Sequence, residues 1–327
     1  MKKYYPSITL LRGVAAMMVC VYHIFSYTDE RGSLLPLQDP LRKIAAYGSE
    51  GVFMFFVISG FVIPLSLFQS NFKLGDFPRY IARRWVRIEL PYLAALLIIL
   101  VVRFMMHKYW NIDFGIDWQI IVHHIFYTIP FSNYPWINVI FWTLAIELQF
   151  YVVVGLLFAL LNSPKKWVPY AAIAAFTLSP LLIEDARFVF HFAPLFAMGM
   201  YVLQAKKIDQ NKLLSAAVIT VIALFSLWLH GPKMAGVAYI SALFILLVDM
   251  KKNTGKWLGE RSYSLYLIHG VVGFHVIYFL YNFAEVYILR VALALLGIVV
   301  AVAIAHYFWY FIEDKARKIS KKIEVKK

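Results

Sequence analysis

Apolar segments separated by short polar interruptions follow one another along almost the whole chain. We interpret ten of these segments as membrane-spanning helices, at 8–27, 44–67, 86–106, 136–161, 167–183, 188–204, 213–230, 234–250, 262–281 and 287–311. Several match the roughly 17–25 residues that a helix needs to cross a bilayer. Because no linker, repeat or low-complexity stretch divides the chain, we predict a single domain over residues 1–327, an all-α polytopic bundle of about ten transmembrane helices.

The composition supports a membrane setting and excludes an ordinary soluble domain. Hydrophobic residues make up 62% of the 327 residues and charged residues 15%, whereas soluble domains average about 45–50% and about 25%. The mean hydropathy is +0.70. The first segment lacks a small-residue cleavage site and carries Arg12 and His23 in its apolar run, so we do not expect a cleaved signal peptide. The single cysteine, Cys20, excludes an intramolecular disulfide.

The net charge of +14 indicates membrane topology rather than a nucleic-acid partner. If the N-terminus is cytoplasmic, 24 of the 32 lysines and arginines fall on the cytoplasmic side of the ten predicted spans. An odd number of spans would place the basic tail outside. We therefore expect both termini in the cytoplasm and a multi-pass protein of the cell inner or plasma membrane, with the lipid bilayer as its surroundings.

Two polar residues interrupt the first segment, LLRGVAAMMVCVYHIF. Arg12 and His23 are eleven residues apart, so a helix places them on nearly the same face and roughly 16 Å apart along its axis. A guanidinium and an imidazole arranged in this way can contact the two ends of a ligand that crosses the membrane. Ionisable residues at this depth indicate a functional site. The alternative is that Arg12 reaches the inner surface and His23 caps the outer end of the helix.

A cluster of arginines lies in the sequence YIARRWVRIELPY. We expect Arg83, Arg84 and Arg87 at the positive N-terminal end of a helix that re-enters the membrane, where guanidinium groups and helix dipole both attract phosphates. Arg84 and Arg87, at positions i and i+3, share a helix face and favour a common anionic target. The alternative is that the arginines only anchor the helix on the cytoplasmic side.

Two further spans carry ionisable groups in apolar surroundings. In WINVIFWTLAIELQFY, Glu147 lies at least ten residues into an apolar run, so it must be paired or protonated. It either fastens helices through a buried ion pair or orients and activates a histidine. In LGERSYSLYLIHG, His269 lies about two turns into its span. It is either a packed, hydrogen-bonded histidine or part of a catalytic site.

The second span contains small residues and a proline, in EGVFMFFVISGFVIP. Ser59, Gly60 and Pro64 either thin and kink this helix beside the Arg12/His23 face, which would open room for a ligand, or let neighbouring helices approach closely.

Together these motifs resemble one family, the acyltransferase-3 family of integral membrane acyltransferases. The most specific element is the spacing of Arg and His in RGVAAMMVCVYH, followed in the expected order by FFVISGFVI, RRWVRIELPY, FWTLAIELQFY and SYSLYLIHG. The resemblance covers nearly the whole chain. One departure is Leu148, because the family pattern commonly has a second glutamate after the residue corresponding to Glu147. This substitution weakens any mechanism that needs two carboxylates.

The resemblance implies transfer of an acyl group, most often acetyl, from cytoplasmic acyl-CoA to a hydroxyl of an extracytoplasmic or lipid-linked glycan. It implies no tightly bound cofactor, because acyl-CoA (acetyl-CoA) is a co-substrate, and thioester transfer needs no metal. The partners expected are acyl-CoA and a carbohydrate or glycolipid acceptor. The candidate residues fall into three groups: catalytic, His23 and Glu147; acyl-CoA-binding, Arg12, Arg83, Arg84 and Arg87; additional, Ser59, Trp142 and His269.

In the expected mechanism, neutral His23 takes the proton of the acceptor hydroxyl while Glu147 holds or charge-balances its imidazole. A covalent acyl-histidine is the alternative. Two other classes of function compete with an acyltransferase. A secondary transporter would use the intramembrane Arg, His and Glu for proton coupling, although the chain lacks the internal symmetry that favours one. An inactive scaffold or receptor would not explain the Arg12/His23 pair and the arginine cluster together.

Overall fold

The computed structural model describes residues 5–113 and 115–323 and is almost entirely helical. Lys2, Lys3, Lys326 and Lys327, which entered the charge argument, lie outside the described residues. The helices are α1 (Pro6–Phe25), α2 (Pro40–Ala46), α3 (Gly51–Gln69), α4 (Phe77–Trp110), α5 (Trp118–Ile125), α6 (Trp142–Leu161), α7 (Val168–Leu178), α8 (Ala193–Lys207), α9 (Lys212–His230), α10 (Pro232–Leu247), α11 (Lys256–Glu260), α12 (Ser262–Leu280), α13 (Tyr287–Phe308) and α14 (Asp314–Lys322).

Every predicted apolar segment coincides with a helix, which confirms the all-α class. By length and composition, seven helices in the described part of the chain can cross a membrane. The other three predicted segments correspond to α7, α8 and α10, which have 11, 15 and 16 residues. These are shorter than the roughly 17–25 residues of a full crossing. The count of ten spans and the cytoplasmic termini therefore stay predictions.

Large apolar side chains form exposed stripes on the outside of the bundle. On α4, Leu97, Val101 and Phe104 follow one helix face and are each more than half exposed. On α13, Leu295 and Val299 do the same. Extended apolar surface of this kind is rare on soluble monomers and suits contact with lipid.

The helices pack around two apolar clusters, and α1 lies between them. One cluster is built mainly from α3, α6, α7, α8, α9 and α10. The other combines α1 with residues of α4, α12 and α13. Val52, Phe55 and Leu148 contact both clusters. Because α1 contacts both α3 and α12, its polar side chains can face the seam between the two clusters.

The arginine cluster is not at a helix N-terminus, contrary to the sequence prediction. Helix α4 begins at Phe77, with Pro78 in its first turn, and runs through Arg83, Arg84 and Arg87 without interruption. Proline at the start of a helix loses no needed hydrogen bond, and no breaker separates it from the arginines. The arginines therefore lie in the second and third turns of a long helix, and the helix N-terminus does not add to their attraction for anions.

Helix α3 shows close packing rather than an interruption at its small residues. It runs through Pro64 to Gln69. A Cβ added to Gly60 would lie 2.0 Å from the carbonyl oxygen of Phe196, and one added to Gly199 would lie 2.0 Å from that of Val57. The backbones of α3 and α8 thus touch at two glycines, as small residues allow in membrane bundles.

We expect Gly199→Ala to destabilise the protein, because the new methyl group would overlap the α3 backbone and force the two helices apart. Overpacking of this kind costs about 1–3 kcal/mol. Gly236→Ala on α10 is the matched control, because a Cβ there meets nothing within 4 Å and alanine favours a helix by about 0.5–1 kcal/mol. Thermal unfolding in detergent measures both variants. A Gly199→Ala protein as stable as the Gly236→Ala protein would contradict the close contact.

A short hairpin ties the end of α1 to the end of α12. Strands β1 (Thr28–Asp29) and β2 (Gly32–Ser33) pair antiparallel, with Thr28 opposite Ser33. Arg31 at the turn bonds Asp29 at 2.5 Å and stacks on the rings of Tyr278 and Tyr281. Burial alone would raise the pKa of the Asp29 carboxyl, but hydrogen bonds from Arg31 and Tyr27 hold that pKa below its ordinary value. The hairpin thereby restrains the chain just after His23.

Candidate active site

Four arginines and two glutamates line a cavity of about 110 Å³ in the seam between the two clusters, which we call the arginine cavity. Side chains from α1, α3, α4, α6, α12 and the C-terminal segment form it. Its charged and polar lining residues are Arg12, Ser59, Arg84, Arg87, Thr143, Glu147, Tyr151, Tyr263, Tyr266, Glu313 and Arg317. Positive groups outnumber negative ones, so the cavity attracts anions.

Three of the cavity arginines, Arg12 of α1 and Arg84 and Arg87 of α4, have no ion-pair partner in the described part of the chain. Arg84 is only 9% exposed and donates from Nη2 to Ser66 Oγ of α3. A buried guanidinium group that has no ion-pair contact is costly. An anionic ligand such as a phosphate would satisfy them, and the guanidinium fork suits its geometry.

Arg84 and Arg87, at positions i and i+3 of α4, face the same way, as predicted. Arg84 and Arg87 both line the arginine cavity, together with Arg12 of α1. Arg83 is not one of the lining residues and is half-buried elsewhere on the helix. The structure therefore brings together three of the four arginines predicted to bind acyl-CoA and leaves Arg83 apart.

Glu147 also lines the arginine cavity, where two hydroxyl groups bond it. Tyr151 OH, one turn along α6, donates to Glu147 Oε1 at 2.6 Å, and Ser59 Oγ of α3 donates to the same oxygen at 3.3 Å. Among the described residues, no hydrogen bond or ion pair connects Glu147 with His23. The expected direct pairing of this carboxylate with the His23 imidazole is therefore absent from the structure. The contact with Ser59 places that sequence candidate in the same cavity.

Glu313 is a second cavity carboxylate, which the sequence analysis missed. It ends a π-helical segment, Trp309–Glu313, between α13 and α14. Its Oε2 accepts hydrogen bonds from the Ser264 backbone N–H at 3.1 Å and from Ser264 Oγ at 2.5 Å. π-Helical turns are rare in proteins overall, but those that occur are often at functional sites. The only sequence signal was an acidic residue directly after the last apolar segment.

A second and larger cavity, of about 580 Å³, contains His23 and is here called the histidine cavity. Its lining residues are Tyr22, His23, Ser49, Glu50, Val52, Phe53, Val139, Ile140, Trp142, His230, Pro232, Lys233, Met234 and Tyr266. Val52 and Tyr266 also line the arginine cavity. The two cavities therefore adjoin at these side chains, with Arg12 on one side and His23, further along α1, on the other.

Val52 and Tyr266 form the wall shared by the two cavities, and hydrogen bonds of the Tyr266 hydroxyl group fix the position of Tyr266. Tyr266 OH lies 2.6 Å from Thr143 Oγ1 and donates to the carbonyl oxygen of Ile140 at 3.0 Å. Its ring lies 5.9 Å from that of Phe55. A tyrosine anchored in this way keeps the boundary between the cavities in one place.

Two histidines line the histidine cavity, and they differ in how their ring nitrogens are used. In His230, Nε2 donates to the carbonyl oxygen of His191 at 2.8 Å and Nδ1 lies 3.1 Å from Ser226 Oγ. In His23, only Nδ1 has partners among the described residues: the carbonyl oxygen of Val19 at 2.9 Å and His269 Nε2 at 3.1 Å. His23 therefore keeps one ring nitrogen for a ligand.

The structure thus groups the sequence candidates into two adjoining sites. Arg12, Ser59, Arg84, Arg87 and Glu147 line the arginine cavity, and His23 and Trp142 line the histidine cavity. His269 is fully buried behind His23 and lines neither cavity. The sequence analysis did not single out the following polar and charged cavity residues: Tyr22, Ser49, Glu50, Thr143, Tyr151, His230, Lys233, Tyr263, Tyr266, Glu313 and Arg317.

Comparison with known proteins agrees with the sequence motifs. A family model described as an acyltransferase domain, of the acyltransferase-3 type, matches residues 5–310. The chain is 25% identical over 305 residues to a protein of Acidianus two-tailed virus named "Putative acetyltransferase ORF330", and the match covers 83% of this chain and 86% of the viral protein. No solved structure matches the chain. With nearly its whole length matched, from α1 to the π-helical segment, the chain belongs to the acyltransferase-3 family.

Proposed function

We propose that the protein transfers an acyl group, most simply acetyl, from acyl-CoA in the arginine cavity to a glycan hydroxyl in the histidine cavity. The observation that carries this proposal is the junction of the two cavities at Val52 and Tyr266. In the described part of the chain, three arginines without an ion-pair partner lie on one side of it, and a histidine with one ring nitrogen that has no hydrogen-bond partner lies on the other. Family membership supports acyl transfer.

The arginine cavity suits the donor. The phosphates of acyl-CoA would bind the guanidinium groups of Arg12, Arg84 and Arg87, which have no ion-pair partner in the described structure. The pantetheine arm would extend along the seam toward the shared wall, so that the thioester meets the histidine cavity. In the predicted topology the arginine side faces the cytoplasm, where acyl-CoA is available.

The histidine cavity suits a carbohydrate acceptor. Trp142 and Tyr22 present aromatic side chains to it, and Glu50 and Ser49 present oxygen atoms. This mixture of aromatic faces and hydrogen-bonding oxygens is typical of sugar sites. In the predicted topology this cavity faces the outside of a cell inner or plasma membrane, where the acceptor glycan or glycolipid would lie.

The chemistry balances without a resident cofactor. His23 takes the proton of the acceptor hydroxyl as the oxygen forms a bond to the thioester carbonyl carbon, and the C–S bond then breaks. The imidazolium returns the proton to the leaving thiolate, which gives free CoA. If a His23 ring nitrogen instead attacks the thioester carbonyl carbon first, the C–S bond breaks, CoA leaves as the thiolate and an acyl-histidine forms. The acceptor hydroxyl then attacks the acyl carbon, the C–N bond breaks, and the hydroxyl proton passes to the thiolate.

The test is transfer of label from acetyl-CoA. Membranes and purified protein are incubated with radiolabelled acetyl-CoA, and mass spectrometry compares glycans from cells with and without the protein. The proposal expects covalently bound acetyl on a glycan hydroxyl only when the protein is present. Uptake of a solute into vesicles, coupled to protons and without covalent transfer, would support a secondary transporter instead.

We expect Glu147→Gln to tighten acetyl-CoA binding and to lower stability in the absence of donor. Gln can still accept a hydrogen bond from Tyr151, but the cavity loses one of its two negative charges. Less repulsion of the donor phosphates should lower Kd by up to about tenfold, about 1.4 kcal/mol. Among the described lining residues, Glu313 is then the one remaining negative charge beside the arginines, so the melting temperature without donor should fall.

Tyr151→Phe is the control, because it removes the hydrogen bond to Glu147 and keeps the charge. It should leave donor affinity close to the wild-type value. Calorimetry and thermal unfolding on the same preparations give both quantities. If Glu147→Gln binds acetyl-CoA normally but loses most of its turnover per folded molecule, Glu147 takes a direct part in the reaction.

A further inference from the structure

His269 is a fully buried histidine whose two ring nitrogens both have protein partners. Its Nδ1 lies 3.0 Å from the carbonyl oxygen of Leu265 and 2.9 Å from that of Tyr266. Carbonyl oxygens only accept hydrogen bonds, so Nδ1 of His269 carries the hydrogen. In a neutral imidazole the other nitrogen, Nε2, then has a lone pair and can only accept.

This assignment decides which of the two histidines donates the hydrogen bond between them. His269 Nε2 lies 3.1 Å from Nδ1 of His23, and the ring centroids are 5.0 Å apart. Since His269 Nε2 accepts, the hydrogen between them belongs to His23 Nδ1. The second partner of that nitrogen, the carbonyl oxygen of Val19 at 2.9 Å, requires the same hydrogen. The hydrogen-bond network therefore assigns the Nδ1–H tautomer to both rings.

The opposite direction, in which His269 donates to His23, is incompatible with the contact to the carbonyl oxygen of Val19. If His269 were charged, its Nε2–H would donate to a bare Nδ1 on His23. His23 Nδ1 would then carry no hydrogen, yet it lies 2.9 Å from the carbonyl oxygen of Val19. Two acceptors would face each other with no hydrogen between them. One arrangement alone satisfies all four contacts of the pair, and it leaves the unprotonated nitrogen of His23 at Nε2, on the opposite edge of the ring.

We infer that His269 is a positioning residue, which holds His23 in the tautomer whose Nε2 accepts the proton of the acceptor hydroxyl. This inference rests on the proposed acyl transfer. His269 lines neither cavity and so acts through His23. Its role resembles that of the carboxylate that orients the histidine of a serine hydrolase, but here the orienting group is a neutral imidazole.

The same contacts support the next step of the reaction. When Nε2 takes the proton, His23 becomes an imidazolium, and its Nδ1–H still points at His269 Nε2 and the carbonyl oxygen of Val19. Hydrogen bonds from a charged donor are stronger than those from a neutral one. The pair therefore stabilises the charged intermediate form of His23 with no contact to Glu147.

The kinetic test compares His269→Gln with His269→Leu. Gln retains a carbonyl oxygen that can accept from His23 Nδ1, whereas Leu has a similar bulk and no acceptor. We expect His269→Leu to lose about 10²–10⁴-fold in kcat, as other enzymes do when the histidine tautomer is no longer held. The KM for acetyl-CoA should stay unchanged, because the arginine cavity is not touched. His269→Gln should recover part of the lost kcat.

His275→Leu is the matched control on the same helix. His275 bonds the carbonyl oxygen of Val271 and Met106 Sδ, and it does not contact His23. Its replacement should leave both kcat and KM near the wild-type values. Equal losses of kcat in His275→Leu and His269→Leu would show a general effect on α12 and overturn the positioning role.

A spectroscopic test is independent of activity. In protein labelled with ¹⁵N in the histidine rings and reconstituted in lipid nanodiscs, solid-state NMR distinguishes Nδ1–H from Nε2–H, and a His23→Gln sample identifies the His23 signals. We expect Nδ1–H for His23 in the wild type and a mixture in His269→Leu. Nε2–H in the wild type, or an unchanged tautomer in His269→Leu, would overturn the inference. If the tautomer is as expected but no acyl group is transferred, the proposed function fails and the pairing stands.

Discussion

His23→Ala is expected to reduce acyl transfer by about 10²–10⁴-fold, the usual cost of losing a general base. Among the described residues, His23 is the histidine of its cavity with a ring nitrogen that has no partner, and this cavity adjoins the arginine cavity at Val52 and Tyr266. Donor binding should not change, because the proposed function places the phosphates in the arginine cavity, which His23 does not line. Acetylated glycan per folded protein measures the loss, and calorimetry with acetyl-CoA measures binding.

His123→Ala is the control for the removal of a histidine. His123 contacts Thr128, lines neither cavity and should be dispensable for transfer. More than about a tenth of the wild-type activity in His23→Ala protein would exclude His23 as the base. Rapid quenching of the wild type with labelled acetyl-CoA, followed by peptide mass spectrometry, adds a second result. Acetyl on His23 would establish the two-step route, and its absence would favour direct transfer.

The double variant Arg84→Ala/Arg87→Ala is expected to weaken acyl-CoA binding by about 10²–10⁴-fold. A hydrogen bond to a charged group contributes about 1.5–3 kcal/mol, and the two side chains lose at least one each. The loss should appear in KM for acetyl-CoA, with a smaller effect on kcat. Arg→Lys at either position should rescue only partly, because an ammonium group lacks the two-pronged guanidinium geometry.

Two controls separate phosphate binding from membrane anchoring. Arg83→Ala removes a neighbouring cation on the same helix that does not line the arginine cavity, so KM should stay near the wild-type value. Acetyl-pantetheine lacks the nucleotide phosphates, and the wild type and the double variant should use it equally poorly. If Arg83→Ala and the double variant lose binding equally, or if both only insert poorly, the arginines serve as anchors.

Local pattern was sufficient to predict the helices and several of the charged residues that line the arginine cavity. Helical periodicity depends on neighbouring residues alone, so the i, i+3 spacing of Arg84 and Arg87 predicted that both face the same way, and both line the arginine cavity. On α1, Arg12 lines the arginine cavity and His23 lines the adjoining histidine cavity. The apolar segments likewise predicted the all-α bundle. The predicted start of α4 was wrong, because polar helical turns that precede an apolar segment resemble a loop in sequence.

Only the tertiary structure decided which buried groups meet. Glu147 and His23 were expected to pair because each is costly alone in an apolar helix, but periodicity within one helix does not determine which helix packs beside it. Packing instead gave Glu147 two hydroxyl partners and gave His23 a second histidine. Glu313 reaches the arginine cavity only because a π-helical segment lies against α12. The sequence by itself determined the helices and the residues that face inward, whereas the packing of α1 between α3 and α12 decided that these residues form two adjoining cavities, because contacts between distant segments depend on how whole helices fit together.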